Sequence, residues 1–470
     1  MIKQEDIDVT EVNNIYQMAF ETFVSEIMTA YNAQGIGIVG FDKEKVLYEY
    51  TQGYRDIEHK LPITRDTVFG IASISKSFTT LALMQLVSKG IIDLDAKVSC
   101  YLPEIKLSEA HMPTVRNLLS HAGGFLPQER FLMQEVLKAM GVDPSEEPAD
   151  HLALAEKGLA MIVDRINGMQ DFTGEPGQYH SYSNFSFGLI TALIHQYGGE
   201  AHYAAYMVKH LFEPMGLANT FLAFNETERR ENITKLYENV LGHLNTLTDY
   251  RDQGFVLLGG GAIKSTLNDL MTYTRLYLND GQVNGEPLID AALMQAMALP
   301  HVAVKPYEGY GYGLVCGQFS GIDYAGHSGG LTGVSSYFGF SKKTGKGIVV
   351  LCNTSDVPAS AIGAAALKLI NGVEPDWQPA HFEGIVWAQS IIDATVGVYK
   401  SEEGTHIELT PDNGTVSWRQ GEEILRVMPV SKDAVVVYHK KTWSYAPIIR
   451  DANDRAIAVY SGSRMIRRQS

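Results

Sequence analysis

The sequence predicts an α/β chain of the α+β kind: an antiparallel sheet flanked by helices, an all-helical subdomain, and a small antiparallel β-barrel domain after them. Three observations lead there. Hairpin-like apolar runs lie near residues 35–51 and again near 334–352, a long apolar stretch of helical character opens at Ser73, and short alternating runs take over beyond a proline-rich stretch near residue 375.

The elements follow in order. Val12, Ile15, Ala19, Phe23 and Ile27 recur every three or four positions, which predicts an amphipathic helix over 11–31 lying on a sheet. Gly35–Phe41 and Lys45–Thr51 flank a polar Asp42-Lys43-Glu44 turn and read as an antiparallel hairpin. From Ser73 to Lys89 the chain is apolar on nearly all sides and stops at Gly90, as a buried helix with a glycine after its last turn would. Residues 113–295 read as mainly helical, with loops at stretches such as Asp143-Pro-Ser-Glu-Glu-Pro148. Val334–Phe340 and Gly347–Cys352 form a second hairpin around Lys342–Lys346. Glu374-Pro-Asp-Trp-Gln-Pro379 marks a linker. Beyond it, His406–Leu409, Thr415–Trp418, Ala434–Tyr438 and Ala456–Tyr460 predict a small antiparallel sheet or barrel of about 80 residues. The expected units are therefore 1–375, a linker at 376–390, and 391–470.

Composition narrows the function. A chain of 470 residues exceeds the roughly 250–300 that one core serves. With 54 acidic against 38 basic residues the net charge is −16 and no basic cluster follows a phosphate backbone, so nucleic acid is not an expected partner. Cys100, Cys316 and Cys352 are too few for a disulfide framework and too scattered for a metal site. The polar, acidic N-terminus lacks the features of a secretory signal, and no run is long and apolar enough to span a bilayer, so no membrane association and a cytoplasmic location are expected.

The chemistry starts at Ser73-Ile-Ser-Lys76. On a helix a hydroxyl and an amine three residues apart share a face, so Lys76 could take the proton of Ser73 and leave an alkoxide able to attack a carbonyl. Tyr182-Ser183-Asn184 follows a turn-rich Thr173–Gly177 and precedes an apolar helical run, so Tyr182 and Asn184 can point from a short non-helical segment into one cleft. Gly326-His-Ser-Gly-Gly-Leu-Thr-Gly333 carries glycines that would let a ligand approach the backbone at the start of a strand.

In that order the three stations resemble the serine β-lactamase and penicillin-binding-protein superfamily, in the class C-like branch with D-aminopeptidases, D,D-peptidases and esterases. Gly53–Asp56, Asp66–Phe69, Leu118–Gly124, Glu213–Gly216, Gly259–Gly261 with Ser265-Thr266, and Gly311–Gly313 extend the resemblance over about residues 30–370. The C-terminal strands are similar to the lipocalin-like domain of some members. The resemblance implies a β-lactamase/transpeptidase-like fold, Ser73 as the acylated nucleophile, Lys76 as its base, and Tyr182 as a phenol bonded to Lys76 that relays protons. It further implies Asn184, His327, Ser328, Gly329 and Gly330 as substrate-binding residues, with the backbone N–H groups of Ser73 and Gly330 holding the oxyanion. The literal Lys343-Thr344-Gly345 falls in a hairpin turn, so His327-Ser328-Gly329 is taken as the third station, and a histidine there need not be charged.

The expected function is a serine hydrolase acting on amide or ester bonds of small peptides, including those with D-residues, or on small esters. Acyl transfer or peptide cyclisation through the same acyl-enzyme, and a silent binding relative, are the alternatives. No metal or organic cofactor is implied. The stretch between Gly124 and Tyr182 is expected to cover the substrate cleft.

Overall fold

The computed structural model describes residues 9–128, 132–141, 151–222, 230–247, 255–376, 382–439 and 442–469. The loop expected at Asp143–Pro148 lies outside them. A nine-stranded antiparallel sheet runs, edge to edge, through Val302–Lys305, Glu308–Tyr310, Val315–Phe319, Ile322–Leu331, Val334–Ser341, Lys346–Cys352, Gly35–Asp42, Val46–Asp56 and Leu61–Pro62. Its central strands are buried on both faces and therefore apolar in every position rather than alternating. Ile36, Ile38, Ile348 and Val350 point to one side, and Val39, Phe41, Val349 and Leu351 to the other.

The first side is covered by the helices Val9–Ala30 and Ala359–Ile370. The expected amphipathic helix is present, but its buried stripe is Phe20, Phe23, Val24, Ile27 and Met28, while Ile15 and Ala19 face solvent. Among its described side chains, burial starts at Phe20, where the helix reaches the sheet. The second side carries the large core, centred on the helix Ser75–Ser88. Twelve of that helix's fourteen residues are buried, and Gly90 follows it with φ of +69°. All-round burial explains why its apolar residues show no preferred face.

The stretch 113–295 is less uniformly helical than expected. Leu236–Val240 and His243–Leu247 form a hairpin, and Phe69–Gly70 pairs with Lys264–Ser265. The hairpin turns at Leu241-Gly242, both with positive φ. Leucine is an uncommon residue for such a turn, and it is 95% exposed, so the usual turn chemistry was missing from the sequence.

After the sheet, eight strands from Gly397–Lys400 to Arg464–Arg468 close into an up-and-down barrel through the pairs Tyr399↔Arg468 and Lys400↔Arg467. Trp418, Val416, Ile407, Val435, Ile448 and Ile466 fill it, as the interior of an eight-stranded barrel allows. The fold class expected from the sequence is the one observed. Trp387, within the stretch expected as linker, and the helix Gln389–Thr395, which starts there and runs past it, pack on the barrel: Trp387 is buried in its core and its Nε1–H donates to the Ser431 carbonyl.

Phe78 is fully buried, stacked on Tyr273 at 3.6 Å between ring centroids and edge-on to Phe212. Phe78→Ala is expected to destabilise the sheet domain by about 3–5 kcal/mol. Chemical denaturation followed by circular dichroism measures this, and a loss below about 1 kcal/mol would contradict the packing described.

Candidate active site

Ser73 sits in a tight connection. Before it, the Ile71 N–H donates to the Ile263 carbonyl at 3.0 Å, and Ala72 holds φ of +46°, a conformation that costs a residue with a Cβ free energy. A short 3₁₀ turn, Ala72–Ile74, then feeds the helix at Ser75. What holds Ala72 there is close packing. A Cβ placed on Gly329 would lie 2.3 Å from the Ile71 carbonyl oxygen and 3.0 Å from the Ala72 Cβ, so only glycine lets that strand approach so closely. Ser336 Oγ donates to the Ile71 carbonyl at 2.8 Å, and Leu236 of the added hairpin packs on Ala72. Ser73 is half-buried among fully buried neighbours, so its hydroxyl reaches the open side of this turn.

Lys76 has no exposed surface. Its Nζ donates to Ser73 Oγ at 3.1 Å and to the Gly260 carbonyl at 2.7 Å. It also lies 4.9 Å from the centre of the Tyr182 ring and 5.6 Å from that of Phe187. The glycines at 259–260 permit this approach: a Cβ at Gly259 would stand 2.0 Å from Thr191 Oγ1. One at Gly260 would stand 3.4 Å from Lys76 Nζ and 3.8 Å from Asn184 Oδ1, so amine and amide converge on the same backbone. Asn184 is not on an extended segment with Tyr182, as expected, but on the first turn of the helix Asn184–Tyr197, whose N-cap is Ser183. The cap explains this, since the Ser183 hydroxyl accepts the Ser186 N–H and starts the helix immediately after Tyr182.

His327 lies mid-strand in Ile322–Leu331 rather than at a strand start. The strand begins earlier because Ser320-Gly321, both with positive φ, makes a two-residue hairpin turn. His327 Nδ1 sits 2.5 Å from the Ser328 carbonyl and must donate to it, so Nε2 accepts the Tyr310 hydroxyl at 2.8 Å. Burial first, and the Lys76 charge second, hold its pKa down to about 3, so the ring is neutral with both nitrogens engaged. Ser328 and Gly330 line open clefts beside it, and a Cβ at Gly330 would meet nothing within 4 Å. Lys343 is exposed in the turn between two strands, as expected.

Several contributors were not singled out from the sequence. His121, with φ of +53°, accepts the Ser183 N–H at Nδ1 and the Ser181 N–H at its carbonyl, so it fixes the segment bearing Tyr182. Its position in Leu118–Gly124 was the available signal. His180 is buried in contact with the rings of His121 and Tyr310, and burial followed by the Lys305 charge brings its pKa down to about 3. The barrel reaches the same segment. The Tyr182 N–H donates to the Ser463 carbonyl at 2.9 Å, the Tyr460 hydroxyl to the His180 carbonyl at 2.6 Å, and the Met465 N–H to Ser181 Oγ at 3.4 Å. Arg464, paired with Glu403, places its guanidinium 5.8 Å from the Tyr182 ring centre. Among the described residues, the cleft beside Tyr182 and His327 is bordered by this barrel hairpin. No motif announces a docking surface between two domains.

The beta-lactamase family model matches residues 20–371. The chain belongs to this family. Among similar proteins of the family are penicillin-binding protein 4* of Bacillus subtilis, 24% identical over 78% of this chain and 80% of its own length, and a D-aminopeptidase of Brucella anthropi, 26% identical over 67% of this chain. The match spans only 55% of that D-aminopeptidase. The octameric penicillin-binding protein homologue from Pyrococcus abyssi is similar in structure over 96% of this chain and 99% of its own, with TM-score 0.67 and 26% identity. SurE matches the fold with TM-score 0.69 over 97% of this chain at 19% identity. The beta-lactamase family is generally hydrolytic. Among the described residues no helix is long and apolar enough to cross a membrane.

Two predictions follow from this geometry. A histidine whose folded pKa lies below its ordinary value leaves the unfolded chain binding more protons, so stability is complete above about pH 6.5 and is lost as pH falls towards the folded value. Between about pH 7 and pH 5, His180 should account for roughly 2 kcal/mol of lost stability, and His180→Phe should flatten the dependence measured by urea denaturation. An identical pH slope in the variant would refute this. Tyr460→Phe should slow acylation of the nucleophile by an activated ester roughly 5- to 50-fold by leaving the buried His180 carbonyl unsatisfied. An unchanged rate would show that the barrel contact does not position Tyr182.

Proposed function

We propose that this chain is a serine hydrolase that forms an acyl-enzyme on Ser73 and cleaves amide or ester bonds of small peptides, D-residue-containing ones included, or of small esters. The observation that carries the reading is the 3.1 Å contact between Ser73 Oγ and a wholly buried Lys76 Nζ with the Tyr182 ring alongside. The names of D-aminopeptidase relatives support the peptide class.

In the first step the Ser73 oxygen bonds to the substrate carbonyl carbon while its proton passes to Lys76. That step requires Lys76 as the neutral amine, with its Nζ wholly buried and 3.1 Å from Ser73 Oγ. The resulting oxyanion takes hydrogen bonds from the backbone N–H groups of Ser73 and Gly330, and losing one such donor typically costs about 10²–10³ in rate. The carbon–nitrogen or carbon–oxygen bond then breaks as the leaving atom takes a proton from Tyr182, which recovers it from Lys76. Water repeats the sequence on the ester. Asn184, whose Oδ1 lies over the same Gly260 backbone as Lys76 Nζ, holds the substrate amide or the lysine in this reading. With His327 neutral and both its nitrogens engaged, the third station supplies no fixed cation, which favours uncharged peptide and ester substrates over β-lactam carboxylates.

Treatment with a fluorophosphonate should leave a single adduct on Ser73, detected by mass spectrometry, and Ser73→Ala should abolish it. His327→Ala should lower kcat/KM by roughly 10²-fold or more, on the scale of losing an oxyanion donor, whereas Lys343→Ala should stay within about twofold. Folded protein that resists labelling on Ser73 would sink the reading.

A further inference from the structure

Beside Tyr182, His327 and Ser328 lies a cleft of about 400 Å³, within the size range of small-ligand sites. Its walls come from three parts of the chain. Tyr307 lies in the turn between the two outermost strands of the sheet, Tyr324 and Tyr337 on strands further in, Phe382 in the segment entering the barrel, and Trp443 and Tyr445 on a barrel strand. The rings are fixed by one another. Phe382 is stacked on Tyr445 at 5.5 Å between centroids and lies 6.0 Å from Tyr307, which itself meets Tyr445 edge-on at 6.5 Å. The charged groups on the wall are already matched: Lys305 Nζ donates to Glu308 Oε1 at 2.6 Å and the Tyr324 hydroxyl donates to Glu308 Oε2 at 2.7 Å. The cleft is therefore aromatic and electrically balanced, and Tyr182, His327 and Ser328 are among the residues that line it.

We infer that this cleft binds an apolar, preferably aromatic, group on the leaving side of the substrate. The inference rests on the proposed acyl-enzyme chemistry, in which the departing nitrogen or oxygen takes its proton from Tyr182 and so leaves past the phenol into this space. The bond between acyl carbon and leaving atom breaks, the leaving atom gains the Tyr182 proton, and the free amine or alcohol carries the aromatic group out. Stacked rings favour a flat partner, and the absence of an unmatched charge on the wall disfavours a charged one.

The test compares the methyl and benzyl esters of D-alanine, which give one acyl-enzyme and differ only in the leaving alcohol. The benzyl ester should show kcat/KM roughly 10- to 100-fold higher, the range that apolar pocket contacts supply. Ala361→Phe, on the cleft wall but outside the reacting groups, should reduce that ratio to near one while leaving the methyl ester within about twofold; Ser444→Trp fills the same space from the barrel side if the first variant folds poorly. A parallel arm needs no turnover: N-benzylacetamide should bind the Ser73→Ala protein by calorimetry, and adding Ala361→Phe should weaken it at least about tenfold. Equal kcat/KM for the two esters, or a benzyl preference that both filled variants keep, overturns the inference. If neither ester is turned over, the proposed hydrolase reading fails and the binding arm decides alone: binding lost on filling upholds the cleft assignment, and binding that is absent or indifferent to filling refutes it.

Discussion

The backbone of Gly329 lies against Ile71 and Ala72 with no room for a methyl group between them, and the reactive centre depends on that contact. It braces Ala72 in a left-handed conformation, which turns the chain abruptly from the strand at Phe69–Gly70 into the helix at Ser75. The abrupt turn lifts Ser73 out of a buried helix onto its exposed lip. The same strand brings Gly330 and Ser328 to the cleft and His327 behind them. One close approach thus aligns the proposed nucleophile, the proposed oxyanion donor and the third station.

The sheet domain was readable because burial on both faces leaves its mark in composition. The runs Gly35–Phe41 and Gly347–Cys352 are apolar throughout, and Ser73–Lys89 is apolar all round, so each announced itself. The Leu236–Leu247 hairpin did not, because its turn uses leucine where asparagine or glycine is the usual signal. Ser73, Lys76, Tyr182, Asn184 and His327 do gather at one place, but the contacts that hold them come largely from elsewhere. His121 grips Ser183 from 62 positions earlier, and Tyr460 grips His180 from 280 positions later. Such pairings have no periodicity and no spacing rule, so pattern reading cannot find them.

Burial also settles the character of the site. Lys76, His121, His180 and His327 are four basic side chains sealed within one small volume. Lost hydration first, and nearby basic groups second, lower the pKa of each of the three imidazoles and keep them neutral, so they present hydrogen-bond geometry rather than positive charge. That distinguishes it chemically from a site built around a fixed cation at the third station, and it is consistent with an aromatic, balanced cleft next door.

The partner of the Tyr182 N–H is Ser463, in the hairpin leading to the barrel's eighth strand. During synthesis the amino-terminal side of a chain folds first, so the sheet and the Ser73 helix can pack well before that hairpin exists. Full alignment of the phenol then waits for barrel closure. A growing chain would carry the proposed nucleophile in place but the proposed proton relay unbraced, which would couple the onset of reactivity to completion of the second domain rather than the first.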